Sequence, residues 1–392
     1  MFGINVWGLA LGQALLITGN ILLISVTALV GQHLAPELGY ATLPIALQYI
    51  GLMFVTLPAA HVMKWVGRKK GFLIGNVLGV VGACLAYMAL SVDNFYIFCC
   101  GTFMLGMSIG VSQQYRYAAA EHAPSNKIPQ AIGLIMGAGV IAAILGPNLA
   151  IWFENWIPDI QYQGAFLALI VVYLITMVLI QTLPLKKPTI EEQKGPTRSY
   201  RELLKQNDLV GAIVAGAIGY GVMVLIMTAT PLAMMHAGHD FSHTASTIQW
   251  HVLGMFAPSF FTGKLISKFG CSKVIQTGCL MLVACIALTQ FGATYWHFSI
   301  ALAFLGIGWN FTFIGATSLL TGTYRPAEKA KVQGLNDLVV FSCSAVASLL
   351  AGYWQNLLGW ELLNLMMVPL IFCAMITIAA IRKRAELYTE PS

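Results

Sequence analysis

Met223 and Met227 stand four apart in GYGVMVLIMTAT (219–230), and His251 and Met255 repeat that spacing in WHVLGMF (250–256). Residues four apart on a helix share a face, so each pair points two donor groups in one direction. Thioether sulfur is soft and neutral. It selects Cu(I) over Zn(II), Mn(II) or Mg(II), and imidazole also accepts copper. Such ligands leave the charge of a bound ion uncancelled, which suits a site that must release as well as hold. A rise of about 1.5 Å per residue places all four groups roughly 10–20 Å below the outer ends of two consecutive helices. Their ordinary reading is packing: Met fills irregular gaps in helical cores, and the chain has 17. His251 is the stronger signal, because an ionisable side chain inside an apolar span is costly. The connection MMHAGHDFSH (234–243) adds Met234, Met235, His236, His239, Asp240 and His243. They read either as an outer capture site that hands metal to His251 or as a solvated polar loop. Gln249 and Asn310 are candidates for lining a pathway.

The elements that must carry these residues are membrane spans. The chain has 392 residues, 58% of them hydrophobic and 9% charged, with a mean hydropathy of +0.77. No soluble domain hides that much apolar surface. A crossing helix needs about 20 apolar residues. Twelve spans are expected near 5–30, 41–63, 72–91, 95–119, 128–153, 162–183, 209–235, 244–267, 274–291, 296–321, 331–356 and 360–381. All 21 Lys and Arg fall on one side of this arrangement, while the opposite loops carry Glu37, Asp93, Glu154, Asp159, Asp240 and Glu361. The positive-inside bias puts both termini and the polar run PLKKPTIEEQKGPTRSY (184–200) in the cytoplasm. The net charge of +6 is then topology and not a nucleic-acid surface. The expected division is an N-terminal six-helix bundle over 1–183, a linker over 184–208, a C-terminal six-helix bundle over 209–382 and a tail over 383–392. The eight cysteines lie within or at the ends of spans, with no Cys-x-x-Cys, so no disulfide framework is expected.

The halves repeat. AHVMKWVGRKK (60–70) aligns with GKLISKFGCSK (263–273) at an offset of 203, and AAAEHAPSNKIPQAIG (118–133) aligns with GTYRPAEKAKVQGL (322–335), pairing Pro124 with Pro326 and Gln130 with Gln333. These residues resemble the major facilitator superfamily. Its inner-loop pattern survives as Gly67, Arg68 and Lys69 and again as Gly263, Leu265, Lys268 and Gly270, with Lys64 and Ser267 where the family has Asp. GAGVIAAILGPNLA (137–150) is similar to the family's fifth-helix pattern, in which Pro147 bends the helix. The resemblance implies an all-α membrane fold of two six-helix bundles related by a pseudo-two-fold axis, rocking about a midplane site.

A narrower resemblance follows from Met-x-x-x-Met on the seventh helix and His-x-x-x-Met on the eighth. It is to the CcoA-type branch, bacterial importers that supply copper for cytochrome oxidase assembly. That implies Met223, Met227, His251 and Met255 as ligands, and copper as cargo with no permanently bound cofactor. It also implies the cytoplasmic membrane as location and cytoplasmic thiols or a chaperone as acceptors, in a chain expected to be monomeric. The alternative is a carrier of an organic solute such as riboflavin, with Trp250, Trp309, Phe311 and Phe313 stacking on a ring. No Asp or Glu lies deep in any span, Glu121, Asp208 and Asp337 falling near inner ends, so import without obligatory proton coupling is expected. Arg116 reads as an inner-gate residue. No phosphate-binding loop or catalytic constellation is present, so an enzyme is not expected.

Overall fold

The computed structural model describes residues 2–37, 40, 43–158 and 160–389. Asp159, the last three residues of the tail and the side chains of Pro147 and 382–389 lie outside that description. Among the described residues every regular element is helical. In chain order these are α1 (Ile4–Leu34), α2 (Leu43–Ser91), α3 (Phe95–Ser112), α4 (Tyr115–His122), α5 (Ile128–Gly137), α6 (Gly139–Phe153), α7 (Gln163–Thr182) and the short α8 (Ile190–Lys194) and α9 (Tyr200–Leu203). There follow α10 (Asn207–His236), α11 (Phe241–Phe256), α12 (Ser259–Phe269), α13 (Cys271–Thr289), α14 (Tyr295–Thr321), α15 (Lys329–Leu365) and α16 (Val368–Thr389).

Nine stretches among the described residues are long and apolar enough to cross a membrane. Two of them hold two rods each, because Gly67 (φ 86°, ψ 165°) breaks α2 and Gly359 (φ 75°, ψ 175°) breaks α15. Only glycine enters that backbone region without a steric penalty. The broken pair α11–α12 completes twelve crossings. Its break falls at Ala257–Pro258, where proline offers no N–H to the ladder. Helix starts are capped where the chain turns: Asn94 accepts from Ile97 N at 3.0 Å, and Thr294 from His297 N at 3.4 Å. The 184–200 run is not featureless. Thr189 with Glu192, and Ser199 with Glu202, form capping boxes that start α8 and α9.

The chain forms two compact units. Unit 1 holds residues 1–123, 138–195 and 326–338; unit 2 holds 124–137, 196–325 and 339–392. The two segments that belong with the opposite half begin at Pro124 and Pro326, the pair the internal repeat aligns.

Packing repeats the sequence duplication. Gly270 takes the same left-handed conformation as Gly67, with φ of 83°. In unit 1, Gly51 lies against the Phe103 carbonyl and Gly106 against the Gln48 backbone; in unit 2, Gly254 lies against the Ala303 carbonyl and Gly306 against the His251 backbone. The offset is 203 on the second helix of each half and 200 on the fourth. Gln48 in one unit thus occupies the place of His251 in the other. Large apolar side chains such as Trp7, Phe54, Val178 and Ile376 are exposed on the rods, as lipid-facing residues are.

Candidate functional site

In unit 2, α10 and α11 each pack chiefly on α14 and only sparsely on each other. The expected meeting of Met223, Met227, His251 and Met255 therefore has α14 as its common neighbour and not a direct α10–α11 seam. His251 is wholly buried; its Nδ1 lies 3.0 Å from the Leu302 carbonyl of α14, and its Nε2 is buried with no partner. A donor hydrogen on Nδ1 leaves Nε2 as an acceptor or ligand atom. Met255, one turn on, is also buried. Met223 is buried one turn beyond Gly219, whose face meets Thr312 of α14, and Met227 is half-buried. Among the described residues no group of three His, Cys, Asp or Glu is placed to hold a metal.

Asn310 is enclosed by its own hydrogen bonds. Its Nδ2 donates to the Met255 carbonyl at 2.6 Å and to Ser259 Oγ, and its Oδ1 accepts from Thr262 Oγ at 2.6 Å. It staples α14 to both parts of the broken α11–α12 rod. Gln249, the other candidate for lining, is exposed.

The connection over 234–243 is divided in the same way. Met234 is fully buried in an apolar cluster with Ala233 and Phe298, against which Tyr295 and Trp360 pack. Met235, His236, His239, Asp240 and His243 are exposed or half-exposed. His239 Nε2 lies 2.7 Å from the Ala293 carbonyl, and His243 Nδ1 lies 2.9 Å from Asp240 Oδ1. Asp240 caps α11 by accepting from His243 N at 2.8 Å. That hydrogen bond, with the charges of His243 and His239, holds the Asp240 carboxyl below its usual range. A depressed value means the cap is complete above the unfolded carboxylate range and lost only as pH falls through the lower folded value. Asp240→Asn, which keeps an acceptor at the cap, will accordingly leave the pH dependence of thermal unfolding unchanged between about pH 5 and 8, measured on the purified protein in detergent.

Unit 1 holds a polar network that residue spacing did not reveal. Asp337, in the first part of α15, is fully buried and ion-paired with the buried Arg116 of α4. Its carboxylate also accepts from Tyr117 Oη at 3.0 Å, Asn336 Nδ2 at 3.0 Å and Gln114 Nε2 at 2.9 Å. Gln114 Oε1 in turn accepts from Arg68 at 2.8 Å. Arg68 pairs with Glu121 at 2.6 Å and donates to Gln333 Oε1 at 2.7 Å. Lys329 bridges Glu121 at 3.4 Å and Glu192 of α8 at 2.8 Å. Asp337 does fall near a helix start, as its position suggested, but nearness to an end did not mean exposure. The only sequence signal was an acid inside the apolar run GLNDLVVF (334–341).

The profile described as Major Facilitator Superfamily matches residues 9–257 and 218–391. The chain belongs to the major facilitator superfamily. It is 38% identical to the riboflavin transporter RfnT of Brucella anthropi over 94% of this chain and 93% of that one. It is 27% identical to YdeG of Bacillus subtilis, an uncharacterized transporter of the same type, over 89% of this chain and 86% of the relative. Among solved structures it resembles the Escherichia coli fucose:proton symporter FucP (TM-score 0.79, 16% identity, 96% of this chain and 98% of that one). It also resembles the human organic anion transporter MFSD10 (TM-score 0.75, 15% identity, 95% and 98%). These likenesses establish a multi-pass major facilitator fold among transporters. They do not reach the CcoA-type branch.

Lys64, where Asp is usual, sends Nζ toward the Ala327 carbonyl at 3.5 Å, and Ser267 in the second half accepts from Gln130 at 2.8 Å. The negative charge that faces Arg68 and Arg116 comes instead from Glu121 and Asp337.

Proposed function

We propose that this major facilitator is a secondary transporter of the cytoplasmic membrane carrying an organic solute of the flavin class, for which riboflavin is the probe. The observation that carries this reading is the 38% identity, over nearly the whole of both chains, to a relative named a riboflavin transporter. Unit 2 offers matching chemistry. Trp309 and Phe313 stack with centroids 5.2 Å apart, and Tyr220 meets Trp309, Phe313 and Phe341 edge-on at 5.1–5.6 Å. A planar ring system is bound by contacts of this kind. Trp309 Nε1 is buried without a partner, a donor available to a polar edge. Trp250, by contrast, is exposed. The reading calls for no bond-making step, so the chain is a carrier and not an enzyme. It acts by alternating access, as a monomer in the bilayer, with both termini in the cytoplasm.

Copper import is the second reading. The observation that favours it is the unpartnered, buried His251 Nε2 with Met255 one turn away. Under it, cytoplasmic thiols or a chaperone take the delivered ion.

Riboflavin and copper accumulation in the same expressing cells separates the two. Met223→Leu with Met227→Leu removes both sulfurs while nearly conserving volume. On the flavin reading, riboflavin uptake in the double variant stays within about twofold of native. Copper uptake that depends on both sulfurs, with no riboflavin uptake by the native chain, would put copper first.

A further inference from the structure

We propose that the Asp337 carboxylate is a proton-binding site that couples transport by this chain to the proton gradient. The proposal rests on the chain being a transporter and not on which solute it carries. It departs from the expectation of import without obligatory proton coupling, which rests on no Asp or Glu lying deep in a span.

The duplication supplies an internal control in unit 2. At the same offsets, Arg116 corresponds to Ala316, Glu121 to Thr321, Arg68 to Cys271 and Asp337 to Leu134. There the equivalent segment, α5, packs on α12 through Gly133 and Gly263, with a neutral Gln130–Ser267 hydrogen bond beside them. Packing of this segment therefore needs no charge. Unit 1 nevertheless buries an acid with three neutral donors and a compensating guanidinium, an expensive arrangement to keep. Ionisable groups enclosed in a membrane protein mark proton relays or substrate paths by default.

The groups facing Asp337 are Arg116, Tyr117 and Gln114 from the α3–α4 rod and Asn336 from its own helix. A second tier of Arg68, Glu121, Lys329 and Glu192 reaches it through Gln114. A proton taken from water onto a carboxylate oxygen of Asp337 removes its negative charge and with it the ion pair. Arg116 keeps its bonds to Gln113 Oε1 at 3.2 Å and Tyr117 Oη at 3.1 Å, so α15 loses its charged contact with Arg116 while Asn336 still donates to Tyr117 Oη at 3.1 Å and Gln333 still accepts from Arg68. That helix starts in unit 1 and its chain runs on into unit 2. On return, the proton leaves to water and the pair reforms.

Two measurements test this. Infrared difference spectra of the protein in nanodiscs, recorded against pH without any solute, will show the carbonyl stretch of a protonated carboxylic acid. It disappears in Asp337→Asn, persists shifted in Asp337→Glu and is unmoved in Glu121→Gln. In proteoliposomes with a pH-sensitive dye, riboflavin entry through the native protein will carry protons. Asp337→Asn will lower gradient-driven accumulation by about tenfold or more while lowering counterflow far less, and Asp337→Glu will restore coupling. A carboxylic acid band unchanged in Asp337→Asn overturns the proposal, as does native riboflavin entry with no proton movement. If the native protein does not move riboflavin, the flavin reading falls and the solute-free spectra still decide the proton site. If Asp337→Asn fails to fold, the Asp337→Glu band shift and the native dye signal decide it.

Discussion

Arg116→Leu will unfold at a markedly lower temperature than the native chain, and adding Asp337→Leu will recover much of the loss. Both side chains of the pair are essentially without solvent, at 1% and 0% exposure. Removing one partner of such a pair strands the other charge in a low dielectric and costs about 3–5 kcal/mol, whereas replacing both by apolar groups is often neutral. The double variant should therefore be more stable than either single one, a sign reversal that simple loss of packing does not produce. Loss of an Asp337 oxygen from both the Tyr117 hydroxyl, which keeps its bond from Asn336 Nδ2, and the Gln114 amide limits the recovery. Thermal unfolding of the purified protein in detergent, read by loss of monodisperse material, gives the comparison. Equal midpoints for Arg116→Leu and the native chain would show that the pair does not form. Stability and function part company here: a leucine pair restores the fold and, on the proton proposal, leaves nothing to titrate.

Gly306→Leu should abolish folded protein, with Gly306→Ala intermediate. A Cβ at Gly306 would meet Met255 N at 2.7 Å and the Gly254 carbonyl carbon at 2.8 Å, together with the His251 carbonyl oxygen. These are backbone atoms, which do not swing aside as a side chain does. Overpacking in a tight core costs about 1–3 kcal/mol even where side chains can adjust. Here α11 must move off α14, and the His251 Nδ1 to Leu302 bond goes with it. Gly352→Ala is the control, since its Cβ finds only Leu232 Cδ1 at 3.9 Å and a helical alanine gains roughly 0.5–1 kcal/mol over glycine. Yield after size-exclusion chromatography orders the three variants. Normal yield of Gly306→Leu would mean that the α11–α14 contact is looser than described.

Copper was the first expectation and the organic solute its alternative; similarity to known transporters backs the alternative better. Met-x-x-x-Met and His-x-x-x-Met report which side chains share a helical face, and on that point the buried Met223, His251 and Met255 agree. Spacing does not report which neighbouring helix that face meets. The 234–243 connection shows the same limit: its six Met, His and Asp candidates separate into one core residue, Met234, and five that are exposed or half-exposed.

What the sequence determined by itself was the membrane fold: twelve apolar runs, the one-sided Lys and Arg, and a duplication whose offset of 203 reappears in the left-handed glycines Gly67 and Gly270. Those features are written in composition and short-range pattern, and the bilayer converts them into helices because backbone groups in hydrocarbon must bond within their own segment. Only the tertiary structure decided that Asp337 is enclosed, that Arg116 neutralises it from 221 residues away, and that His251 is sealed against α14 with one nitrogen unpaired. Burial of a charge depends on partners brought together by chain topology, and no local pattern records which distant segment will supply the counter-charge.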